Sequence, residues 1–472
     1  MENRFLLDND GSNFFAHTMT DDVDATIAAA VDSCPSAVTT YLLCPNGCGK
    51  FYHPTQIGEV YPPARRLTEL HARGIDPFGL FLQALRQSGK ETFITYRMND
   101  VHGADDPDAP GTAEFKKRHP DFVVDSEGVA LGEGGWMSHC LDFSCTEVRD
   151  YILATIRELI DLYPIDGFQL DWMRFPRHLS GDPDEVWEKR HYLTDFTALV
   201  RDMLRTKAPT IQLSARVPTS LEGCRFLGAD IAEWTHRELV DFIVATPFLT
   251  TDFHMPIPAL RAAMDDRPVP IYADVEFGHG PQIHCPESLR AAAAGLFGSG
   301  ADGIYLFNFP CWTEYLGARP YDWLPPLASP ETAAQKPLLF SASHTRHRVP
   351  DIDLPAQLPT PLHIGDQLEV ELILPASALP AEKAAVLVHS CGDLMMKING
   401  LDVPEHPLLR RAELFVEYIP QEDQSDLSRP ANRDCRFFQV PPEVLQEGSN
   451  SIRLFNMSMR DLQIDRVNLG LW

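Results

Sequence analysis

Short apolar runs alternate with amphipathic stretches through the first two thirds of the chain, the pattern of βαβ units that feed a parallel sheet. The runs predict strands over residues 4–7, 38–43, 92–96, 167–170, 212–217, 242–245, 270–275 and 303–307. Eight such strands are the number that closes a barrel. Between them, residues 147–162 carry apolar side chains at helical spacing behind a candidate cap at Ser144. Residues 185–206 and 287–298 read the same way, the latter closed by Gly298 and Gly300. Residues 101–142 follow no helical period and are rich in Gly, Asp and Pro. They are expected to form an elaborated loop at the catalytic face of the barrel.

The period changes near residues 325–337, where the Pro-rich run P-P-L-A-S-P-E-T-A-A-Q-K-P reads as a linker. Beyond it, residues 368–374, 385–389, 437–440, 451–456 and 462–471 alternate with period two. Turn signals such as Asn399-Gly400 and Glu447-Gly448 separate them. The expected architecture is a (β/α)8 TIM barrel over residues 1–335, followed by a smaller all-β, jelly-roll-like sandwich over residues 336–472.

Composition narrows the partners. The chain of 472 residues is 44% hydrophobic, enough to bury a large core, and carries 67 acidic against 40 basic residues, a formal net charge of -27. So negative a surface disfavours nucleic acid and anionic membrane. No run approaches the roughly 18 apolar residues of a membrane span. The first residues lack a secretory leader, so a cytoplasmic location is expected. The ten cysteines have no disulfide rhythm and are expected as free thiols. Cys44 and Cys48, in C-P-N-G-C-G, resemble half a zinc site without a second pair. There is no P-loop and no Gly-rich dinucleotide fingerprint, and neither cofactor nor metal is expected. Self-association into a homo-oligomer stays open.

In a closed barrel the last inward residues of each strand reach the C-terminal rim. The fourth strand ends D-G-F-Q-L-D-W-M-R-F-P, which turns Gln169 and Asp171 inward and leaves Trp172 and Arg174 beside the rim. The seventh reads P-I-Y-A-D-V-E-F-G, with Tyr272, Asp274 and Glu276 on one inward face. Carboxylates from two strands are what glycoside hydrolysis requires: one protonates the leaving oxygen, the other attacks or activates water. Asp171 with Glu276 or Asp274 is the expected pair. Sugar-binding candidates at the other strand ends are Asp10 (with Asp8), Arg97, Asn99, Asp100, His102, Arg216, Asp252, His254, Asn308 and Trp312, joined by Trp136 and His139 of the long loop. His254 and His279 with Asp274 form a weak metal-ligand candidate lacking any helical spacing.

The fourth-strand segment resembles the motif D-G-[IV]-x-L-D-[YW]-x-R-[FY]-P of the family-10-like glycosyl hydrolases, a barrel group related to polysaccharide-degrading enzymes. The runs C-L-D-F-S-C-T-E-V-R-D-Y-I-L, G-A-D-I-A-E-W-T-H-R-E-L-V-D-F-I and G-A-D-G-I-Y-L-F-N-F are similar to its flanking segments. The resemblance spans about residues 1–330 and implies a hydrolase acting on a glycan, with a functional acid at Asp171. It names no sugar. Related barrels place the second acid on strand seven or after strand six, where this chain has Asp252. The sequence also admits a metal-dependent hydrolase or lyase on uronate or amide substrates, and a non-catalytic glycan-binding barrel. The C-terminal part resembles the sandwiches that accompany such hydrolases, where a packing role is as well founded as sugar binding.

Overall fold

The computed structural model describes residues 4–61, 64–102, 112–124, 137, 139–265, 267–312, 320–406 and 435–472. Eight parallel strands close into a barrel: β1 (Phe5–Asn9), β2 (Thr40–Leu43), β3 (Glu91–Arg97), β4 (Gly167–Asp171), β5 (Gln212–Val217), β6 (Phe242–Ala245), β7 (Ile271–Val275) and β8 (Gly303–Leu306). Each strand pairs with its neighbours in sequence, and β8 returns to β1. The strands are buried on both faces, so they read as near-continuous apolar runs, as parallel strands under helices must.

The lower bore is apolar, filled by Leu6, Leu42, Phe93, Phe242, Val244 and Tyr272. Above it the inward positions turn polar. Gln169 lies within hydrogen-bond reach of Thr95, Ser214 and Tyr305 across the bore. Gly167 opens β4 where no side chain fits, since a Cβ there would lie 2.1 Å from the Phe93 ring. Gly167→Ala is expected to destabilise the chain by about 1–3 kcal/mol in chemical denaturation, because the bore cannot yield to an added methyl.

The helix Thr146–Leu162 packs Val148, Ile152, Ile156 and Leu159 inward, one stripe at spacings of three and four. Its N-cap is Cys145, which makes no side-chain capping bond, and not the expected Ser144. The stretch expected as one helix over 185–206 is two, Pro183–Lys189 and His191–Lys207, the first opened by an Asp182–Glu185 capping box. Residues 101–142 are not wholly a loop, for Glu114–Arg118 is helical and Pro120–Phe122 a 3-10 turn. The Pro-rich run is no free linker either. It forms 3-10 turns and the short helix Pro330–Ala333, capped by Ser329, with Leu324, Leu327 and Ala333 fully buried.

Beyond the barrel, two four-stranded antiparallel sheets build the sandwich. Its strands are β9 (Leu338–Ser341), β10 (Gln367–Leu374), β11 (Ala384–His389), β12 (Leu394–Ile398), β13 (Leu401–Val403), β14 (Cys435–Val440), β15 (Gly448–Asn456) and β16 (Arg466–Leu471). They are ordered β9-β16-β11-β14 and β10-β15-β12-β13. Asn399 and Gly400 both take positive φ, 49° and 87°, in the tight turn between β12 and β13. The two parts are tied together: Arg348 pairs with Asp252, and Asn468 Nδ2 donates to Gln282 at 2.9 Å. All ten cysteines are free. No helix among the described residues is long and apolar enough to cross a membrane.

Candidate active site

At the C-terminal ends of the barrel strands lies a cavity of about 500 Å³, within the usual range for a small-ligand site. Strand register builds its floor. Arg97 on β3 stands beside Asp171 on β4, and Asp171 beside Arg216 on β5. Arg216 is the hub. Its Nη1 donates to Asp171 Oδ2 at 2.8 Å, its Nη2 donates to Asp274 Oδ2 at 2.8 Å, and Glu276 Oε1 lies 3.7 Å away. Its face rests on the Phe307 ring, 4.0 Å from the centroid.

Asp171 is 1% exposed and does not line the cavity. Its Oδ1 accepts the amides of Met173 and Arg174, both at 3.0 Å, an Asx turn that ends β4 and swings Arg174 over the mouth. Glu276 does line the cavity. Its Oε2 is buried with no hydrogen-bond partner among the described residues. Burial first, and the neighbouring Asp274 carboxylate second, push the Glu276 carboxyl well above the usual range despite Arg216. Asp274 itself is raised to about 6, again chiefly by burial.

The opposite wall holds two ionised acids around Arg97. Its Nη2 donates to Asp10 Oδ2 at 3.0 Å and its Nη1 to Asp100 Oδ2 at 2.8 Å. Burial acts upward on both acids, but Arg97, the hydrogen bonds from Ser12 and Cys311, and Arg174 together outweigh it at Asp10, and His102 together with Arg97 holds Asp100 well below its ordinary value. Asn308, at φ 51°, grips Asp10 from β8, its Nδ2 donating to Oδ2 at 3.0 Å. Arg174 Nη2 donates to His102 Nε2 at 2.8 Å, which fixes the proton on Nδ1, 2.6 Å from Asp100 Oδ1.

Of the residues expected from the sequence, Asp10, Arg97, Asp100, His102, Arg174, Glu276, Asn308 and Trp312 line this cavity, while Asp171, Asp274 and Arg216 lie in the layer beneath. Others are spent elsewhere. Tyr272 sits at the opposite, N-terminal end of the barrel with Arg4, because the inward face of β7 runs from bottom to mouth. Trp172 turns outward against Phe143, Phe196 and Trp234. Asn99 is consumed by Leu141, Arg177 and His178. Asp252 is held by Arg348, and His254 Nδ1 lies 2.9 Å from Ser299 Oγ, so neither faces the cavity. His139 does not line it, and Trp136 lies outside the described residues. His279 packs on Phe253 and His284, not with His254 and Asp274 as a metal site.

Sequence reasoning missed His17, Tyr52, Tyr61, Phe277 and His347, which also line the cavity. His347 comes from beyond the barrel strands, where no strand-end rule reaches. Cys48 of C-P-N-G-C-G, expected as a free thiol, offers with Asp100 and His102 ligand atoms within 4.8 Å of one another.

The layer under the cavity carries a pH signature. Burial lifts Asp8 to about 7, as it does Asp353 near the sandwich. An acid whose folded value is raised holds its proton longer in the folded chain, so its stabilising effect is present in acid and lost as pH climbs through that value. The melting temperature is expected to fall from about pH 4 to about pH 7, and Asp8→Asn should flatten the decline. A flat wild-type profile over that window would contradict the burial of these acids in protonated form.

The fold and cavity define a parallel eight-stranded barrel with a polar, aromatic-walled pocket at the strand C-termini. No family model matches the chain, and no curated protein does. Among solved structures it is similar to an alpha-L-fucosidase isoenzyme 2 from Paenibacillus thiaminolyticus, at 13% identity and TM-score 0.44, covering 65% of this chain and 46% of that one. It is also similar to the GH36 alpha-galactosidase AgaA from Geobacillus stearothermophilus, at 12% identity and TM-score 0.42, covering 96% and 55%. The galactosidase domain of an alpha-galactosidase-sucrose kinase matches at 13% identity and TM-score 0.41, covering 97% and 55%. The chain thus spans about half the length of each of these structures.

Proposed function

We propose that the chain is a glycoside hydrolase that cleaves O-glycosidic bonds of an oligo- or polysaccharide, with residues 1–335 as its catalytic part and 336–472 as an accessory part. The observation that carries this reading is the proton-retaining carboxyl of Glu276, its Oε2 without a hydrogen-bond partner among the described residues, opening on a sugar-sized cavity. A carboxyl in that state is a proton donor waiting for an acceptor.

In the reaction Glu276 gives its proton to the glycosidic oxygen as the bond to the anomeric carbon breaks. Positive charge grows on the sugar ring, and Asp171, one guanidinium away from Glu276, is the negative charge that balances it. Water adds its hydroxyl to the anomeric carbon, and its other proton restores the acid. Asp10, Arg97, Asn308 and Trp312 contribute hydrogen bonds and an aromatic face for the ring. A screen of aryl glycosides and natural polysaccharides, with Asp171→Asn and Glu276→Gln as controls, tests the proposal. Product from the wild type alone bears it out. Ligand binding without product would instead favour a glycan-binding barrel.

A second reading, metal-dependent hydrolysis, is favoured by the Cys48–Asp100–His102 cluster. These ligands are already engaged: His102 bonds Asp100 and Arg174, Asp100 pairs with Arg97, and burial raises the Cys48 thiol to about 12. Turnover abolished by a chelator and restored by zinc would move the chemistry to this cluster.

A further inference from the structure

The cations around the cavity do not share its anions evenly. Arg97 pairs with Asp10 and Asp100, Arg216 with Asp171 and Asp274, and Arg348 with Asp252. Arg174 lines the cavity, is 8% exposed, and makes no ion pair among the described residues. Its Nη2 is taken by His102, while Nε and Nη1 are buried without a hydrogen-bond partner. The group is nonetheless held in place. Its backbone amide is pinned by Asp171, and its guanidinium lies 4.7 Å from the centroid of Phe175, whose φ of 58° turns the ring back toward it. His102, which receives Nη2, is itself anchored on Asp100. Asp100, Asp10 and Glu276 act on it only from beyond ion-pair distance, and a rigid, buried guanidinium with two unmet donors is unfavourable until an acceptor meets it. The cavity is where that anion can arrive.

We propose that Arg174 receives a carboxylate of the substrate, so that the glycan contains a uronic acid residue seated with its carboxylate on Arg174. This rests on the glycoside hydrolase reading and narrows it. A carboxylate brings one negative charge. A phosphate monoester, carrying nearly two, would leave an excess beside the ionised Asp10 and Asp100. The planar guanidinium suits a carboxylate in geometry as well as charge. Glu276, protonated, does not repel the incoming group.

The test is calorimetric titration of the full chain with methyl glucuronides and methyl galacturonides, against the corresponding neutral methyl glycosides and a sulfated methyl galactoside. At least one uronide is expected to bind about tenfold or more tighter than its neutral parent, the scale of a charge-assisted hydrogen bond. Arg174→Gln should erase the preference of the chain for uronides over their neutral parents, and Arg174→Lys should keep part of it. Equal binding of uronides and parents, a preference for the sulfated sugar, or no binding of any uronide would overturn the proposal. Melting curves of the unliganded variants separate misfolding from lost recognition. Uronide binding that depends on Arg174 in a chain that hydrolyses nothing would leave this inference standing and remove the hydrolase reading.

Discussion

Glu276→Gln is expected to lower kcat/KM on a natural polysaccharide by about 10²–10⁴, the usual worth of a positioned proton donor. On an aryl glycoside whose phenol leaves without protonation the loss should be far smaller, because the step that Glu276 assists no longer limits the rate. The wild-type rate should also fall as pH rises through the elevated Glu276 value, since the donor is lost when it ionises. In the variant that alkaline limb should vanish. Glutamine matches glutamate in shape and lacks only the titrating proton, so the fold should hold. Equal losses on good and poor leaving groups would mean that Glu276 does not protonate the leaving oxygen.

The second large effect concerns Arg216, fully enclosed between Asp171, Asp274 and Glu276. Arg216→Met leaves buried carboxylates without their cation, and removal of one partner from such a cluster costs about 3–5 kcal/mol at neutral pH. The sign with pH follows from linkage. Without Arg216, which lowers them, the folded-state values of Asp274 and Glu276 rise further, so the penalty is greatest at high pH and shrinks as the acids take up protons. Pairing Arg216→Met with Asp171→Asn and Asp274→Asn should recover part of the loss, a coupling that a double-mutant cycle reads directly. A small penalty, equal at acid and neutral pH, would show that these groups do not share one field.

The barrel was legible in the sequence because parallel strands leave compact apolar blocks separated by helical periods, and every one of the eight blocks pairs as a barrel strand. Strand parity also served the bore: Gln169, Asp171 and Asp274 all turn inward. What parity does not carry is depth. Tyr272 and Glu276 share a face of one strand yet stand at opposite ends of the barrel. Nor does it say which polar groups are already spent. Asp252 looks like a rim acid until Arg348, 96 residues later, claims it. Asn99 sits at a strand end but is saturated by main-chain groups and His178. His17, Tyr52 and His347 arrive from loops and from beyond the barrel, positions fixed only by tertiary packing. The Pro-rich run carried one readable signal that its composition masked: Ser329 followed by Pro330 is a helix cap with proline at the first turn, and a helix forms there.

A single proton, held at neutral pH by the side chain of residue 276 at the mouth of the bore, decides the mechanism. Infrared difference spectroscopy between the wild type and Glu276→Gln reads it directly. A protonated-carboxyl band present at neutral pH in the wild type, missing from the variant and bleached as the solution is made alkaline is the predicted result. A carboxylate band in its place would contradict the assignment and with it the hydrolytic mechanism.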